Sequence, residues 1–112
     1  MHKIILLVLG IAFTTSTLAG KTSSTISKIL LYDDAMIIYV YPESGVTNPP
    51  ACHDVRSGGD YYSFSATRPM TKEYLSGLLS AQARKAKVTF WGANECNDQS
   101  TSETLRYFRI EN

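Results

Sequence analysis

Residues 72–91, KEYLSGLLSAQARKAKVTFW, change from a helical to a strand-like hydrophobic pattern. The apolar residues of the first part recur with the 3.6-residue period of an amphipathic helix: Leu75, Leu78, Leu79 and Ala83. The pattern predicts one helix over about 72–85, with Thr71 as its N-cap. Residues 88–91 that follow are β-branched and aromatic, which is typical of a strand.

Upstream of this helix the sequence predicts three strands. Residues 27–32 and 36–41 are rich in Ile, Leu, Val and Tyr, and Asp33-Asp34 between them favours a turn, so the pair predicts a β-hairpin. Both faces of residues 36–41 are apolar or aromatic, which indicates a central or interface strand. Residues 61–67 alternate between apolar and polar side chains and predict a half-buried strand.

A fifth strand is predicted at 104–110, so that the helix lies between the third and fourth strands. The predicted class is α+β, mostly β, with the order of elements found in a five-stranded OB-like barrel or sheet. A mixed α+β sandwich is the main alternative. The segment Pro42–Gly59 is long and irregular, and between its ends it contains Gly45, Pro49, Pro50 and Gly58. Long loops of this kind are often functional.

The N-terminus has the composition of a secretory signal peptide. A short positive start precedes an apolar run of about ten residues and then small polar residues, with cleavage expected after Ala19. An apolar run of that length covers about half of a bilayer core, so no stable membrane anchor is expected. The predicted organisation is a signal peptide at 1–19, a flexible arm at 20–25 and a single secreted or periplasmic domain at 26–112.

The two cysteines, Cys52 and Cys96, both lie in the exported part of the chain. An even number of cysteines in a protein sent to an oxidising compartment predicts a disulfide. The alternative, a metal or redox pair that includes the neighbouring His53, is weaker because neither cysteine belongs to a Cys-x-x-Cys motif.

Charge and motifs exclude several functional classes. Lys3 belongs to the predicted signal peptide, so ten of the 11 basic residues remain in the exported part, against ten acidic residues. The exported part therefore has no net positive charge to attract nucleic acid. His53 is the only histidine of the exported part and is expected to be a solvated loop imidazole. The acids Glu95, Asp98 and Glu103 have no EF-hand spacing and are expected in a solvated loop. We therefore expect no enzymatic activity, no catalytic residue, no metal and no cofactor.

Aromatic residues are the one compositional excess. Tyrosine and tryptophan have an apolar face and a polar tip, which suits both sugar stacking and protein interfaces. A core of this size cannot hide the whole set, so some must be exposed. Tyr61, Tyr62 and Trp91 are the predicted ligand contacts.

A resemblance adds to these patterns. The stretch from Leu78 to Gly92, then Cys96 and Ser102-Glu103-Thr104, resembles the C-terminal half of small secreted bacterial proteins of OB-fold type. The whole layout is similar to the binding subunits of the pertussis and subtilase toxin group. The resemblance implies a disulfide-bonded binding domain, with a glycan as its ligand and a homo-oligomer as a possible state, and its motifs are structural, not catalytic.

The predicted function is therefore a secreted or periplasmic binding domain without enzymatic activity, with a glycan or another protein as partner. The alternative is a periplasmic protein inhibitor or an assembly-associated interaction protein that inserts the loop Pro42–Gly59 into its partner.

Overall fold

The computed structural model describes residues 20–111, in which six strands and one helix follow one another. The elements are β1 (Lys21–Ser24), β2 (Ile26–Tyr32), β3 (Ile37–Pro42), β4 (Tyr62–Ser65), α1 (Thr71–Arg84), β5 (Val88–Gly92) and β6 (Leu105–Ile110). The predicted signal peptide at 1–19 lies outside the described residues. No helix within 20–111 is long and apolar enough to cross a bilayer.

The strands form two antiparallel three-stranded sheets, with the orders β1-β5-β6 and β2-β3-β4. The mostly-β α+β class is thus confirmed, whereas the prediction of five strands is wrong because there are six. The sheets do not close into a barrel. On one side the chain bends at Thr25, between β1 and β2, and on the other only an isolated parallel bridge joins Ser63 to Thr104.

The additional strand is β1, within the segment expected to be a flexible arm. Lys21–Ser24 pairs along its length with β5. Its inward residues, Thr22 and Ser24, are hydroxylic and show no apolar period, so the sequence pattern did not indicate a strand. The Thr22 hydroxyl bonds the Tyr62 hydroxyl at 2.7 Å and accepts from the Thr47 backbone N–H at 2.8 Å. These bonds satisfy the buried hydroxyl.

The main core lies between the two sheets and α1. Its buried residues come from every element except β1: Ile26, Ile38, Val40, Val46, Tyr62, Phe64, Leu78, Ala81, Val88, Phe90 and Leu105. The helix contributes Leu78 and Ala81, as its period predicted. Gly77 faces Phe108 of β6, whose Cζ would lie 3.3 Å from a Cβ at that position.

The start of α1 differs from the prediction in one detail. Met70, with φ at 65°, occupies the N-cap position and makes no side-chain cap. Thr71 is already helical, and its hydroxyl donates to the carbonyls of Ser65 and Arg68 at 3.0 and 2.6 Å. Thr71 therefore anchors the turn before the helix instead of capping the first helical amides.

A second, smaller core covers the other face of the β2-β3-β4 sheet. It consists of Ile37, Tyr39, Tyr41 and Tyr61. Residues 43–61 form what we call the pinned loop, and the last part of this loop lies against this face: the Tyr41 hydroxyl donates to the Gly58 carbonyl at 2.8 Å. Both faces of β3 are consequently buried, as its two apolar faces predicted.

Candidate functional site

A disulfide between Cys52 and Cys96 is present, as the cysteine count predicted. It joins the pinned loop to the segment between β5 and β6, with 6.2 Å between the two Cα atoms. A second tie runs alongside it, because the backbone N–H of Asp54 donates to the Thr101 carbonyl at 2.9 Å. The long loop is therefore held against the body of the protein at its centre.

His53, next to this disulfide, is buried: its side chain is 1% exposed. Nδ1 accepts from the Glu103 backbone N–H at 2.8 Å, and Nε2 lies 2.7 Å from Oδ1 of Asp60. Because Nδ1 is an acceptor, the ring hydrogen is on Nε2 and is donated to Asp60. The expectation of a solvated imidazole is wrong, since two hydrogen bonds compensate for the burial of the ring.

Glu103 is also fully buried, although the sequence placed it in a solvated acidic loop. Its Oε2 accepts from the Asn94 backbone N–H at 3.0 Å, while within residues 20–111 no group donates to Oε1. Burial raises the pKa of this carboxyl. The carboxyl occupies the space beside Gly92, where any Cβ would collide with it.

The residues Cys52, His53, Asp60, Cys96 and Glu103 form what we call the hub. Both ring nitrogens of His53 are engaged and the ring is closed to solvent, so it is not positioned to take a proton from a substrate. No group of three or more His, Cys, Asp or Glu residues in the described part of the chain could hold a metal ion. The hub joins segments of the fold, and its two groups closed to solvent are the His53 ring and the Glu103 carboxyl, whereas the Asp60 side chain is 37% exposed.

Two of the three predicted ligand contacts are buried on opposite faces of the β2-β3-β4 sheet. Tyr61 is 1% exposed and stacks on Tyr39 with 4.2 Å between ring centroids. Burial and Tyr39 raise the pKa of Tyr61 to about 12. Tyr62 is 0% exposed and lies in the main core, where burial raises its pKa. Neither ring offers a face to a ligand.

Trp91, the third predicted contact, lies on the outer face of the other sheet and is partly exposed. It occupies the central strand β5, paired in register with Lys21 of β1 and Tyr107 of β6. The rings of Trp91 and Tyr107 stack at 4.8 Å with 24° between their planes. Tyr107 is 45% exposed and was not among the predicted contacts, although its alternation along β6 placed it on the face opposite to Phe108.

Cations surround this aromatic pair. The Lys21 Nζ and the Arg109 Cζ lie 5.7 and 5.4 Å from the centre of the Trp91 ring. The Arg106 Cζ lies 5.9 Å from the centre of the Tyr107 ring. These residues, with the hydroxyls of Ser23 and Thr89 that bond each other at 3.0 Å, form what we call the aromatic face.

One carboxylate balances part of this charge. Glu111 accepts from the Arg109 Nε at 2.7 Å and from the Thr89 hydroxyl at 3.0 Å. The hydrogen bonds from Arg109 and Thr89 lower the pKa of Glu111. Lys21 and Arg106 make no ion pair within the described residues, so the face keeps a local excess of positive charge.

Comparison of the chain with protein-family models, with curated proteins and with solved structures finds no match in any of the three. The functional inference therefore depends on the chemistry of the aromatic face and on the exposed tip of the pinned loop.

Proposed function

We propose that this chain is an exported binding domain without enzymatic activity, and that it recognises a glycan on the aromatic face. The observation that carries the proposal is the stacked pair of Trp91 and Tyr107 on an open sheet surface, with Tyr107 45% exposed and cations around both rings. Aromatic rings of this kind pack against the C–H faces of sugar rings, while their polar edges and neighbours bond hydroxyls.

The charge around the rings narrows the ligand class to an acidic glycan. The part of the chain from residue 20 onward has ten basic and ten acidic residues, so the three cations against one carboxylate on this face are a local excess in a part without net charge. Arginine and lysine at the edge of an aromatic pair suit a carboxylate or sulfate group on a sugar. The Ser23 hydroxyl lies on the same face and supplies a neutral hydrogen-bonding group, whereas Thr89, which it bonds, is buried.

The face is preorganised by the sheet that carries it. Trp91 lies on the central strand β5, and cross-strand neighbours on both sides hold its position. Because the contact residues lie on paired strands instead of a loop, binding orders little of the backbone and loses little conformational entropy.

The likeness to toxin-type binding subunits of OB-like fold belongs to the same proposal. It is supported by the order of the strands and helix and by the continuous course of β1 into β2, which passes from one sheet to the other at Thr25. Export is supported by the signal-like N-terminal composition and by the disulfide, a bond typical of oxidising compartments.

A glycan array tests this function directly with the oxidised protein from residue 20 onward. We expect binding to acidic glycans, at least tenfold weaker in Trp91→Ala and in Tyr107→Ala. Leu79→Ala is the matched control, because Leu79 is also 45% exposed but lies on the outer side of α1. The double variant Lys21→Ala, Arg109→Ala should lose acidic glycans selectively. An array without signal at high protein concentration would refute the proposal.

A protein partner is the second candidate function, favoured by the tip of the pinned loop. Val55 and Arg56 are exposed there, while the disulfide and His53 immobilise the residues before them. The tip consists of tight turns, with the Ser57 and Gly59 N–H groups donating to the carbonyls of Asp54 and Val55, so a partner would dock on it and would not receive an extended segment.

Affinity capture from periplasmic extract separates the two candidates. An inhibitor or assembly protein should retain one partner in a stoichiometric ratio that free sugar does not elute, and Val55→Asp should release it. Retention that free acidic sugar abolishes, and that Val55→Asp does not change, would support the glycan proposal instead.

A further inference from the structure

The strand β2 is a sheet edge that exposes apolar side chains. Among residues 20–111 β3 is the only strand that pairs with it, and α1 also packs near it. Leu30, Leu31 and Tyr32 are all exposed, Leu31 by 59%, and Met36 in the turn beyond them is exposed as well. Natural proteins protect such edges with charges, proline, bulges or short strands. β2 has seven residues without proline, its register shift lies at its start between Ile26 and Lys28, and Lys28 is its only charge.

The free backbone groups of this edge can be assigned. The Ser63 and Ser65 N–H groups point away from β3, because they donate to the Glu103 carbonyl at 3.1 Å and to Asp98 Oδ2 at 3.0 Å. Their register partners Tyr39 and Ile37 therefore make no backbone hydrogen bonds with β4. Because the backbone groups of a strand alternate between its two sides, those of Ile37 and Tyr39 point toward β2, where their register partners are Tyr32 and Leu30. The intervening residues Ile29 and Leu31 therefore direct their N–H and C=O groups outward.

We propose that β2 pairs antiparallel with β2 of a second copy of this chain, about a two-fold axis at Leu30. This inference goes beyond the proposed glycan binding and does not depend on it. With the axis at Leu30, Ile29 lies opposite Leu31 of the second copy, so the outward backbone groups of both chains meet and form four hydrogen bonds. The two sheets join into one continuous six-stranded sheet.

The side chains of β2 are self-complementary in this register. The apolar residues Ile29, Leu30 and Leu31 face apolar residues of the second copy, and Lys28 lies opposite Tyr32 of the second copy instead of opposite its own equivalent. Lys28 already lies over an aromatic ring within its own chain, with Nζ 4.4 Å from the centre of Tyr41. Pairing therefore places the only charge of the strand beside another ring and brings no like charges together.

An apolar groove adjoins the same edge and extends the contact. It has a volume of about 280 Å³ and lies between the end of the β2-β3 hairpin and the start of α1. Leu31, Met36, Ile38 and Leu75 are among its lining residues. In the proposed register Ile29 of the second copy lies beside Leu31, at the rim of this groove, so the pairing also covers exposed apolar surface.

Sedimentation velocity over a dilution series tests the dimer with the oxidised protein from residue 20 onward. We expect a mass of two chains that falls to one chain on dilution. Leu30→Asp should be monomeric throughout, because the two-fold axis would bring two carboxylates face to face. Leu79→Asp is the matched control on α1 and should remain dimeric. Circular dichroism confirms that both variants are folded.

Crosslinking tests the register itself. Residues at the axis of a non-hydrogen-bonded antiparallel pair have Cα atoms about 4.5 Å apart, within disulfide range. Leu30→Cys should therefore form a covalent dimer on mild oxidation, and Leu79→Cys should not. A monomer at every concentration, or an oligomer that Leu30→Asp leaves intact, would overturn the proposal. Tyr107→Ala should keep the dimer mass, because Tyr107 lies outside the β2 edge. Its glycan binding therefore tests only the function proposed above, and its mass tests only the dimer.

Discussion

The backbone N–H of Glu103 donates to Nδ1 of His53 across 2.8 Å and joins two residues fifty positions apart. The carbonyl of the same Glu103 accepts from the Ser63 N–H at 3.1 Å, and the Ser102 hydroxyl donates to the Tyr61 carbonyl at 2.7 Å. The Ser102-Glu103-Thr104 motif thus ties β6 to β4 and to the pinned loop, which gives this motif a structural role.

Removal of the imidazole should test the strength of that tie. His53→Ala leaves the Glu103 N–H buried without an acceptor and removes the donor to Asp60, so we expect a loss of about 3 kcal/mol in the free energy of unfolding. His53→Asn supplies an acceptor in place of Nδ1 and should recover part of the loss. Urea denaturation of the oxidised protein measures both. A loss below about 1 kcal/mol in His53→Ala would show that the contact contributes little.

The buried carboxyl of Glu103 should give stability a pH dependence of defined sign. Burial raises its pKa in the folded state above the unfolded value of about 4.3. The folded form therefore holds the proton more tightly, and this stabilisation is complete at lower pH and is lost as pH rises through the folded pKa. Relative to the wild type, Glu103→Gln should gain stability as pH rises from 4 to 7, measured by urea denaturation at each pH.

Glu111 is a control of opposite sign. Hydrogen bonds from Arg109 and Thr89 lower its pKa, so its contribution is present above the unfolded pKa and is lost as pH falls. Glu111→Gln should consequently lose stability relative to the wild type as pH rises from 4 to 7. The same direction of change in both variants would contradict the assignment.

The disulfide should be a major stabilising element. It closes a loop of 44 positions, which corresponds to about 4 kcal/mol in the chain-entropy model. We expect the variant Cys52→Ser, Cys96→Ser to lose a comparable part of its free energy of unfolding, and hydrogen exchange in the pinned loop to accelerate most. Mass spectrometry of exported, non-reduced protein after alkylation provides the check: two modified thiols would contradict the bond.

Substitution of Gly77 by alanine should raise the stability of the protein only when the side chain of Phe108 is also made shorter. Alanine in place of glycine within a helix normally stabilises by about 1 kcal/mol. Here the new Cβ would lie 3.3 Å from the Phe108 Cζ, so Gly77→Ala should bring no gain. In a Phe108→Leu background the gain should appear, and thermal denaturation of the four proteins measures the coupling. Ser80→Ala, on the exposed side of α1, should behave identically in both backgrounds.

Much of the fold followed from local patterns. The period of Leu75 and Leu78 predicted α1 to within one residue at either end, and the strands β2 to β6 lie where alternation and composition placed them. β1 was missed because Thr22 and Ser24 are buried through hydrogen bonds, and hydroxylic side chains leave no apolar period.

The candidate site was predicted less completely. Trp91 was predicted as a ligand contact because the aromatic residues exceed what the core can hold; the structure shows it partly exposed, and its role as a contact stays a prediction. Tyr61 and Tyr62 were predicted by the same reasoning as Trp91, but they are buried. Composition does not reveal which aromatic residues are buried. Tyr107 could have been found by pairing the predicted strands 88–91 and 104–110, because an antiparallel register places it beside Trp91.

The sequence by itself determined the elements with a regular hydrophobic period and the pairing of its two cysteines. The elements depend on spacing along the chain, and the pairing depends on the number of cysteines. Tertiary structure alone decided that His53 and Glu103 are buried together, that Trp91 meets Tyr107, and that β2 remains an open edge. The reason is physical: burial of a polar group depends on hydrogen bonds from distant segments, such as the 2.8 Å bond between residues fifty positions apart, and such partners leave no periodic trace in the sequence.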